Sequence, residues 1–335
     1  MTTWERVQAA LHGEPVDRVP LSCWGHDYLR EWTAEGLAEA TLEFQRRYGW
    51  DFIKVNPRAT YYAEAWGARF RPSGDPLRGP LLVEAPLRTA ADLRRIQPVD
   101  PSAGPFAEQL TALRLMAREL RGEVPLLQTV FNPLSVIGRL TAGESREERA
   151  ALVRGFMREA PEALHAALAA VAATLAGYAA RCLEAGAAGV FFATVDWGTR
   201  DVATDGEYLT FARPYDLTVL TAVREAPFNV LHVCGARNML DLLADYPVHA
   251  FNWAADLPGN PGLREARERY GRAVMGGLDE RRTLPEGSPE EVAEQVRRAI
   301  RETGGRGVLV APGCSIPPQT PEANLRAAVQ AARTL

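Results

Sequence analysis

The chain of 335 residues is 47% apolar and 24% charged, which is typical of an ordinary globular protein. Its net charge of −4 and the absence of a basic block argue against nucleic acid or an anionic membrane surface as a partner. Four cysteines are too few for a disulfide framework, and residues 1–5 lack the basic start of a signal peptide. No apolar run reaches membrane-spanning length. We therefore expect a reduced, cytoplasmic protein, with its oligomeric state left open.

Eight short apolar runs, each followed by a segment of helical periodicity, divide the chain. Such runs predict parallel strands buried on both faces, and eight units predict a (β/α)8 barrel of the TIM type. A miscounted strand would instead give an open, doubly wound sheet. We expect one domain over residues 1–335, with an inserted hairpin or loop near residues 57–100. The predicted strands are residues 19–24, 51–56, 124–130, 188–195, 228–233, 249–253, 273–277 and 307–311. The predicted helices are residues 4–11, 34–48, 107–120, 133–140, 145–158, 161–185, 207–226 in two pieces divided at Pro214, 238–245, 262–270, 289–302 and 321–332.

One histidine and two cysteines stand at the ends of predicted strands. His232 and Cys234 are two residues apart at the end of the fifth strand, so their side chains point to the same face. Cys314 follows the eighth strand. Two sulfurs and an imidazole can bind zinc, and three protein ligands with one open position are typical of a catalytic zinc site. A redox pair of Cys234 and Cys314 is the alternative, whereas Cys23 and Cys182 are typical of small buried side chains.

A zinc site with two cysteine ligands indicates chemistry at sulfur. Two thiolates neutralise the charge of the dication and leave a site suited to a further sulfur ligand. A thiol bound at the open position would lose its proton and be presented as a nucleophile at neutral pH. The ligand pattern therefore favours alkyl transfer to sulfur over hydrolysis of a phosphate ester.

Polar residues also follow the other predicted strands, at the edge where the active site of such a barrel lies. They are Asp27, Asn56, Asn132, Asp196, Asn252, Asp256 and Asp279. Among them, we predict that Asn56, Asn252 and Asp279 bind a cofactor. Glu64, in the insertion, is a candidate catalytic residue that approaches the metal, with a solvent-exposed position as the alternative.

Four segments, spread over nearly the whole chain, resemble the uroporphyrinogen decarboxylase superfamily. They are LHGEPVDRVP at 11–20, AEAWGA at 63–68, VMGGLD at 274–279 and PGCSIPPQTPEANL at 312–325. The fold of that superfamily is a (β/α)8 barrel, in agreement with the eight units counted above. The resemblance also implies that Asp196, which matches an aspartate in the loop after the family's fourth strand, contacts substrate as a catalytic residue.

Two departures separate the chain from the decarboxylases of that superfamily. The decarboxylases carry an early segment whose arginines hold the porphyrinogen carboxylates, and here residues 23–27 contain no arginine. They also carry Gly-His-Gly near the end, where this chain has Gly313-Cys314-Ser315. A substrate with eight carboxylates needs cationic contacts, so these departures disfavour decarboxylation.

The zinc-containing, cobalamin-dependent methyltransferases of the superfamily match better. Their zinc motif, His-x-Cys followed much later by Cys, corresponds to His232, Cys234 and Cys314. The resemblance implies zinc as the cofactor and methyl transfer between a corrinoid and a thiol or a small methylated substrate. The chain lacks the Asp-x-His-x-x-Gly segment of a corrinoid-binding domain. We therefore expect the corrinoid as a co-substrate, free or on a separate partner protein.

Two alternatives stand beside the zinc-dependent methyltransferase. One is a uroporphyrinogen-type decarboxylase of porphyrin biosynthesis that acts without metal. The other is a non-catalytic protein that binds zinc or a corrinoid and never admits a thiol to the metal. The sequence names neither the methyl donor nor the acceptor.

Overall fold

A curled sheet of seven parallel strands forms the centre of the computed structural model, which describes residues 1–334. Each strand of this sheet pairs with the next one along the chain. A separate antiparallel hairpin, Arg69–Arg71 paired with Leu81–Glu84, lies in the insertion after the first strand. The described strands, β1 to β9 in chain order, are Ile53–Val55, Arg69–Arg71, Leu81–Glu84, Leu126–Phe131, Gly189–Ala193, Val230–His232, Ala250–Asn252, Ala273–Leu278 and Val308–Pro312. Seven of the eight predicted strands are therefore confirmed.

The helices begin and end at local sequence signals. The Thr33 side chain caps the start of α2, and Gly49, directly after the last residue of this helix, has the left-handed conformation. A capping box between Ser288 and Glu291 starts α12, and Gly304 follows its last residue in the left-handed conformation. The helices α1 to α13 are Thr3–Leu11, Ala34–Tyr48, Tyr61–Glu64, Gly104–Leu120, Pro133–Arg139, Arg146–Glu159, Pro161–Glu184, Asp205–Phe211, Arg213–Thr221, Leu263–Tyr270, Thr283–Glu286, Pro289–Thr303 and Glu322–Arg333.

The predicted first strand, residues 19–24, is reduced to a single bridge. Leu21 forms an isolated parallel bridge with Val310 of β9, whose N–H donates to the Pro20 carbonyl at 2.9 Å. On the other side, the Asp51 N–H donates to the Leu21 carbonyl at 2.9 Å. Pro20 has no N–H to donate, so it cannot extend a regular ladder. The strand order never reverses, so the doubly wound alternative is wrong, while the complete (β/α)8 barrel stays a prediction.

Of two predicted helical segments, one is confirmed and one is wrong. Residues 207–226 divide into α8 and α9, and Pro214 lies in the first turn of α9, as predicted. The predicted helix at residues 238–245 is wrong, because only the 3₁₀ turn Leu240–Leu242 forms there. The Asn238 side chain accepts a hydrogen bond from the Leu240 N–H, a local contact that competes with helix formation.

Helix α7 corrects the expectation that no apolar run reaches membrane-spanning length. The helix has 24 residues, and an 18-residue window within it has a mean hydropathy of 1.6. By length and composition alone, such a helix could cross a membrane. Within the fold, 56% of that window is buried, and α7 packs against α5, α6 and α9. A helix buried in the core of a protein can have the same length and composition as one that crosses a membrane. The many alanines of α7 allow neighbouring helices to pack closely against it.

Candidate metal centre

Three side chains converge at the carboxyl end of the parallel sheet. His232 is the last residue of β6, Cys234 lies two residues further, and Cys314 lies two residues after β9. One potential ligand atom from each residue lies within 4.8 Å of the other two. Ligands of a single zinc ion, with Zn–S of about 2.3 Å and Zn–N of about 2.0 Å, come together at a similar spacing. The structure thus brings together the three residues that the sequence pattern proposed as ligands.

Asn252 sets the orientation of the His232 ring. The two residues are register partners on β6 and β7, and Asn252 Oδ1 lies 2.7 Å from His232 Nδ1. The Asn252 amide nitrogen donates to the carbonyls of Met275 and Pro312 at 2.9 and 3.0 Å. Its Oδ1 must therefore be the acceptor, and His232 carries its proton on Nδ1. The Nε2 lone pair is then left for a metal.

The thiols of Cys234 and Cys314 lie beside each other. A hydrogen bond from Cys234 lowers the pKa of Cys314 well below its ordinary value, against burial, and His232 lowers it further. The same contact, together with burial, raises the pKa of Cys234. Cys23 and Cys182 are buried in the apolar core, which raises the pKa of both thiols, as expected of small core residues.

Two glycines shape the turns that carry the cysteines. Gly235, directly after Cys234, has φ of +93°, a conformation that side chains disfavour. Gly313, directly before Cys314, lies so close to Ala254 that an added Cβ would be 2.4 Å from its Cα atom. The Gly313 N–H donates to Glu280 Oε2 at 3.1 Å, and this buried carboxylate fixes the turn.

The family model for uroporphyrinogen decarboxylase (URO-D) matches residues 2–335. The chain belongs to the uroporphyrinogen decarboxylase family. This confirms the resemblance seen in the sequence.

Individual proteins similar to this chain are named for two different activities. A uroporphyrinogen decarboxylase of Synechococcus sp. is 30% identical over 257 residues, 74% of this chain and 69% of that protein. The methylcobamide:CoM methyltransferase MtbA of Methanosarcina acetivorans is 25% identical, over 99% of this chain and 98% of that protein.

Solved structures support the fold. A methyltransferase from Methanosarcina mazei superimposes with a TM-score of 0.78 at 22% identity, covering 99% of this chain and 98% of that one. A B12-independent methionine synthase from Shewanella superimposes with a TM-score of 0.59 at 15% identity, over 97% of this chain and 95% of that one. At these identities the likeness concerns the architecture alone.

Two other residues proposed from the sequence lie at the same edge of the sheet. Asn56 follows β1, and its Oδ1 accepts from the Ser315 hydroxyl at 3.2 Å, directly beside Cys314. Asp196 follows β5 and accepts from Arg149 Nη2 at 3.0 Å. The preceding residue, Val195, has φ of +45°, which is rare for a β-branched side chain. In proteins generally, backbone strain of this kind clusters at functional sites.

Asp279 and Glu64 are placed differently. Asp279 Oδ1 accepts from the backbone N–H groups of Arg281 and Arg282 at 3.0 and 3.2 Å, which stabilises the turn after β8. Glu64 pairs with Arg58 Nη2 at 2.8 Å and accepts from the Thr60 hydroxyl at 2.8 Å. In residues 1–334, neither carboxylate belongs to the cluster of potential ligand atoms. Their predicted roles stay predictions.

Three buried charged residues near the cluster were not identified from the sequence. They are Glu31, Lys54 and Glu280. Burial, and then the charge of Cys314, raises the pKa of Glu280. The sequence alone could have drawn attention only to Lys54, because it is the single lysine of the chain. Glu31 and Glu280 sit among many similar carboxylates, and only the tertiary structure distinguishes them.

Proposed function

We propose that this family member is a zinc-dependent methyltransferase that moves a methyl group between a corrinoid and a thiol or a small methylated substrate. The corrinoid arrives free or on a separate protein. The observation that carries the proposal is the convergence of His232, Cys234 and Cys314 at one edge of the sheet. The similarity to a methylcobamide:CoM methyltransferase over 99% of the chain supports it.

The donor set fits zinc. His232 would bind through Nε2, because Nδ1 is engaged by Asn252, and the two cysteines would bind through Sγ. Two sulfurs and one imidazole nitrogen leave a fourth position, as in catalytic zinc sites. When bound, zinc would supply a Lewis-acidic position at which the pKa of a substrate thiol is lowered.

The chain's own residues hold this site in place. Asn252 keeps the proton on His232 Nδ1, and Glu280 anchors the turn before Cys314 through the Gly313 N–H. The Phe191 ring stacks on the His232 ring at 5.3 Å and covers one of its faces from water. Asp196, held by Arg149, would orient a polar group of the substrate at the same edge.

We also propose that residues 1–335 form one barrel domain. Residues 20–22 would close the sheet, since they hydrogen-bond both to β9 and to Asp51, just before β1. Closure would place all strand ends around one mouth, where barrel active sites lie.

Decarboxylation is the second candidate function. A decarboxylase is 30% identical to this chain over 74% of its length. Arg139 and Arg149 line a cavity of about 680 Å³ together with Tyr28, and these arginines would supply the cationic contacts that residues 23–27 lack. Uroporphyrinogen turnover that survives His232→Ala would favour this candidate.

The test is the zinc content of the purified protein, measured by elemental analysis for the wild type, Cys234→Ala and the control Cys23→Ala. We expect one zinc per chain in the wild type and the control, and none in Cys234→Ala. Methyl transfer from methylcobalamin to a panel of small thiols, followed by its absorbance, should track the zinc. Failure of the wild type to retain zinc after reconstitution under reducing conditions would rule the proposal out. Zinc that never admits a thiol would indicate a non-catalytic binding protein.

A further inference from the structure

The only lysine of the chain lies in a cavity beside the candidate metal centre. Of the 38 basic residues, 37 are arginine and one is Lys54. Lys54 is the middle residue of β1 and is 7% exposed. The chain thus uses arginine at every other basic position and an amine only here. An ammonium group differs from guanidinium because it is compact, has three freely rotating donors and can lose its proton when buried.

The Lys54 amine has few partners. Nζ donates to Asn56 Oδ1, and it lies 5.0 Å from the ring centroid of Phe191 and 5.8 Å from that of Trp24. Within residues 1–334, Lys54 forms no ion pair. Burial lowers its pKa to about 7, an effect that the charges of Cys314 and Glu31 only partly offset. An anion brought to Nζ would therefore restore the charged form and use the remaining donors.

A carboxylate in the same cavity is also incompletely paired. Glu31 is 1% exposed, and its Oε2 lies 2.7 Å from His26 Nδ1. Its Oε1 is buried and has no hydrogen-bond partner among the described residues. Glu31 and Lys54 both line a cavity of about 350 Å³, a volume that suits a small molecule.

This cavity adjoins the cluster of ligand atoms. Asn56, which accepts from Lys54, also accepts from the Ser315 hydroxyl beside Cys314. The Phe191 ring lies near both sites, with its centroid 5.0 Å from the Lys54 amine and 5.3 Å from the centroid of the His232 ring. A molecule whose sulfur reaches the metal centre would extend past Asn56 and Phe191 toward the cavity.

We propose that Lys54 and Glu31 are substrate-binding residues that select a small zwitterion of the amino-acid type. The substrate carboxylate would pair with Lys54 and its ammonium group with Glu31. An anion or a cation alone would leave one of the two buried charges unpaired, which costs binding free energy. The inference rests on the proposed function for the position of the substrate sulfur, whereas the two charge contacts belong to the cavity itself.

The single lysine makes a direct test possible. Protein grown with ¹³C at lysine Cε gives one lysine resonance, assigned without mutagenesis, from the zinc-loaded wild type and from Cys234→Ala. The probes are homocysteine, 4-mercaptobutyrate without the amine, and 3-mercaptopropylamine without the carboxylate. We expect homocysteine to shift the resonance and to bind the wild type at least about tenfold more tightly than either probe with one charge.

Two variants separate the contacts. Lys54→Met should abolish the preference for homocysteine over 3-mercaptopropylamine, and Glu31→Gln should abolish the preference over 4-mercaptobutyrate. Glu43→Gln is the matched control, because Glu43 lines the same cavity but pairs with Arg30. This control should keep the full selectivity. If Lys54→Met does not fold, the labelled wild type and Glu31→Gln still decide.

The outcomes also distinguish this inference from the proposed function. Equal binding of homocysteine and 4-mercaptobutyrate, or a resonance unmoved by homocysteine, would overturn the inference even in zinc-loaded protein. A carbonyl compound trapped on Lys54 by borohydride would overturn it as well, because the amine would then be a nucleophile. Selectivity for the zwitterion in a protein that never binds zinc would remove the proposed function and leave this inference standing.

Discussion

His232 and Asn252 are opposite each other on adjacent parallel strands, and His232 Nδ1 donates to Asn252 Oδ1 over 2.7 Å. The Asn252 amide group is itself held by backbone carbonyls of β8 and β9, at Met275 and Pro312. One side chain on β7 therefore ties together four strands and fixes the tautomer of a candidate ligand. The orientation of the imidazole depends on strand register and not on a loop.

Asn252→Ala should weaken zinc binding. Loss of the acceptor frees the His232 ring to rotate and to change tautomer, and such changes behind a ligand typically cost about 10- to 100-fold in metal affinity. Competition with a chromophoric chelator measures the affinity. Asn324→Ala is the control, since Asn324 is also buried but donates to the Leu284 and Gly287 carbonyls and contacts none of the three candidate ligands through a hydrogen bond. Wild-type zinc affinity in Asn252→Ala would contradict the prediction.

Gly313→Ala should displace Cys314 and lose metal. The new Cβ would lie 2.4 Å from the Ala254 Cα atom, so the turn has to move. We expect a destabilisation of about 1–3 kcal/mol together with loss of zinc. Gly206→Ala in α8 is the control, because its Cβ would meet open space and a helical alanine is preferred by about 0.5–1 kcal/mol. Urea unfolding and elemental analysis give the two readouts, and full zinc content in Gly313→Ala would refute the steric argument.

Glu64→Gln distinguishes a structural carboxylate from a catalytic one. Glu64 neutralises Arg58, which is 3% exposed and also pairs with Glu108. Loss of one charged partner should lower the free energy of unfolding by about 1–3 kcal/mol and leave zinc content and methyl transfer unchanged. The exposed pair of Glu84 with Arg69 provides the control, because Glu84→Gln should change stability by less than about 1 kcal/mol. Normal stability with activity reduced a hundredfold would instead make Glu64 catalytic.

Asp216 should make stability depend on pH. It is fully buried, its Oδ2 accepts from the Tyr208 and Tyr246 hydroxyls, and burial raises its pKa to about 7. The folded state thus holds a proton that the unfolded chain releases near pH 4, and each pKa unit corresponds to about 1.4 kcal/mol. The contribution of Asp216 to the free energy of unfolding is therefore greatest below pH 4 and is lost as the pH rises from about 4 to 7.

Asp216→Asn replaces the titrating carboxyl group with an amide that does not titrate. The comparison with the wild type therefore isolates the effect of Asp216 on the pH dependence of stability. Urea unfolding at several pH values should show the variant gaining stability relative to the wild type between about pH 4 and 7, with no further change above. Asp245→Asn is the control, because pairing with Arg213 lowers the pKa of Asp245. The contribution of Asp245 to stability is therefore lost as the pH falls, opposite to that of Asp216. A constant difference between Asp216→Asn and the wild type across this range would show that Asp216 is already ionised in the folded protein.

Residues far apart in the chain could be assigned to one site because parallel strands end at one edge. The alternation of apolar runs and helices predicted seven of the observed parallel strands, and those ends brought His232, Cys234 and Cys314 together. The first predicted strand became one bridge because Pro20 interrupts hydrogen bonding. Asn252, for which cofactor binding stays a prediction, accepts a hydrogen bond from His232 Nδ1, a contact that only the strand register reveals.

The sequence by itself determined the family, the parallel sheet and the potential ligand set, because periodicity and short motifs are local properties of the chain. Only the tertiary structure decided which charges face the site. Glu31, before α2, and Lys54, in β1, line the same cavity although they are 23 residues apart in the chain, and no local pattern encodes this proximity. Asp279 lies in a turn while its neighbour Glu280 holds the Gly313 N–H, because one step along the chain changes the direction of the side chain.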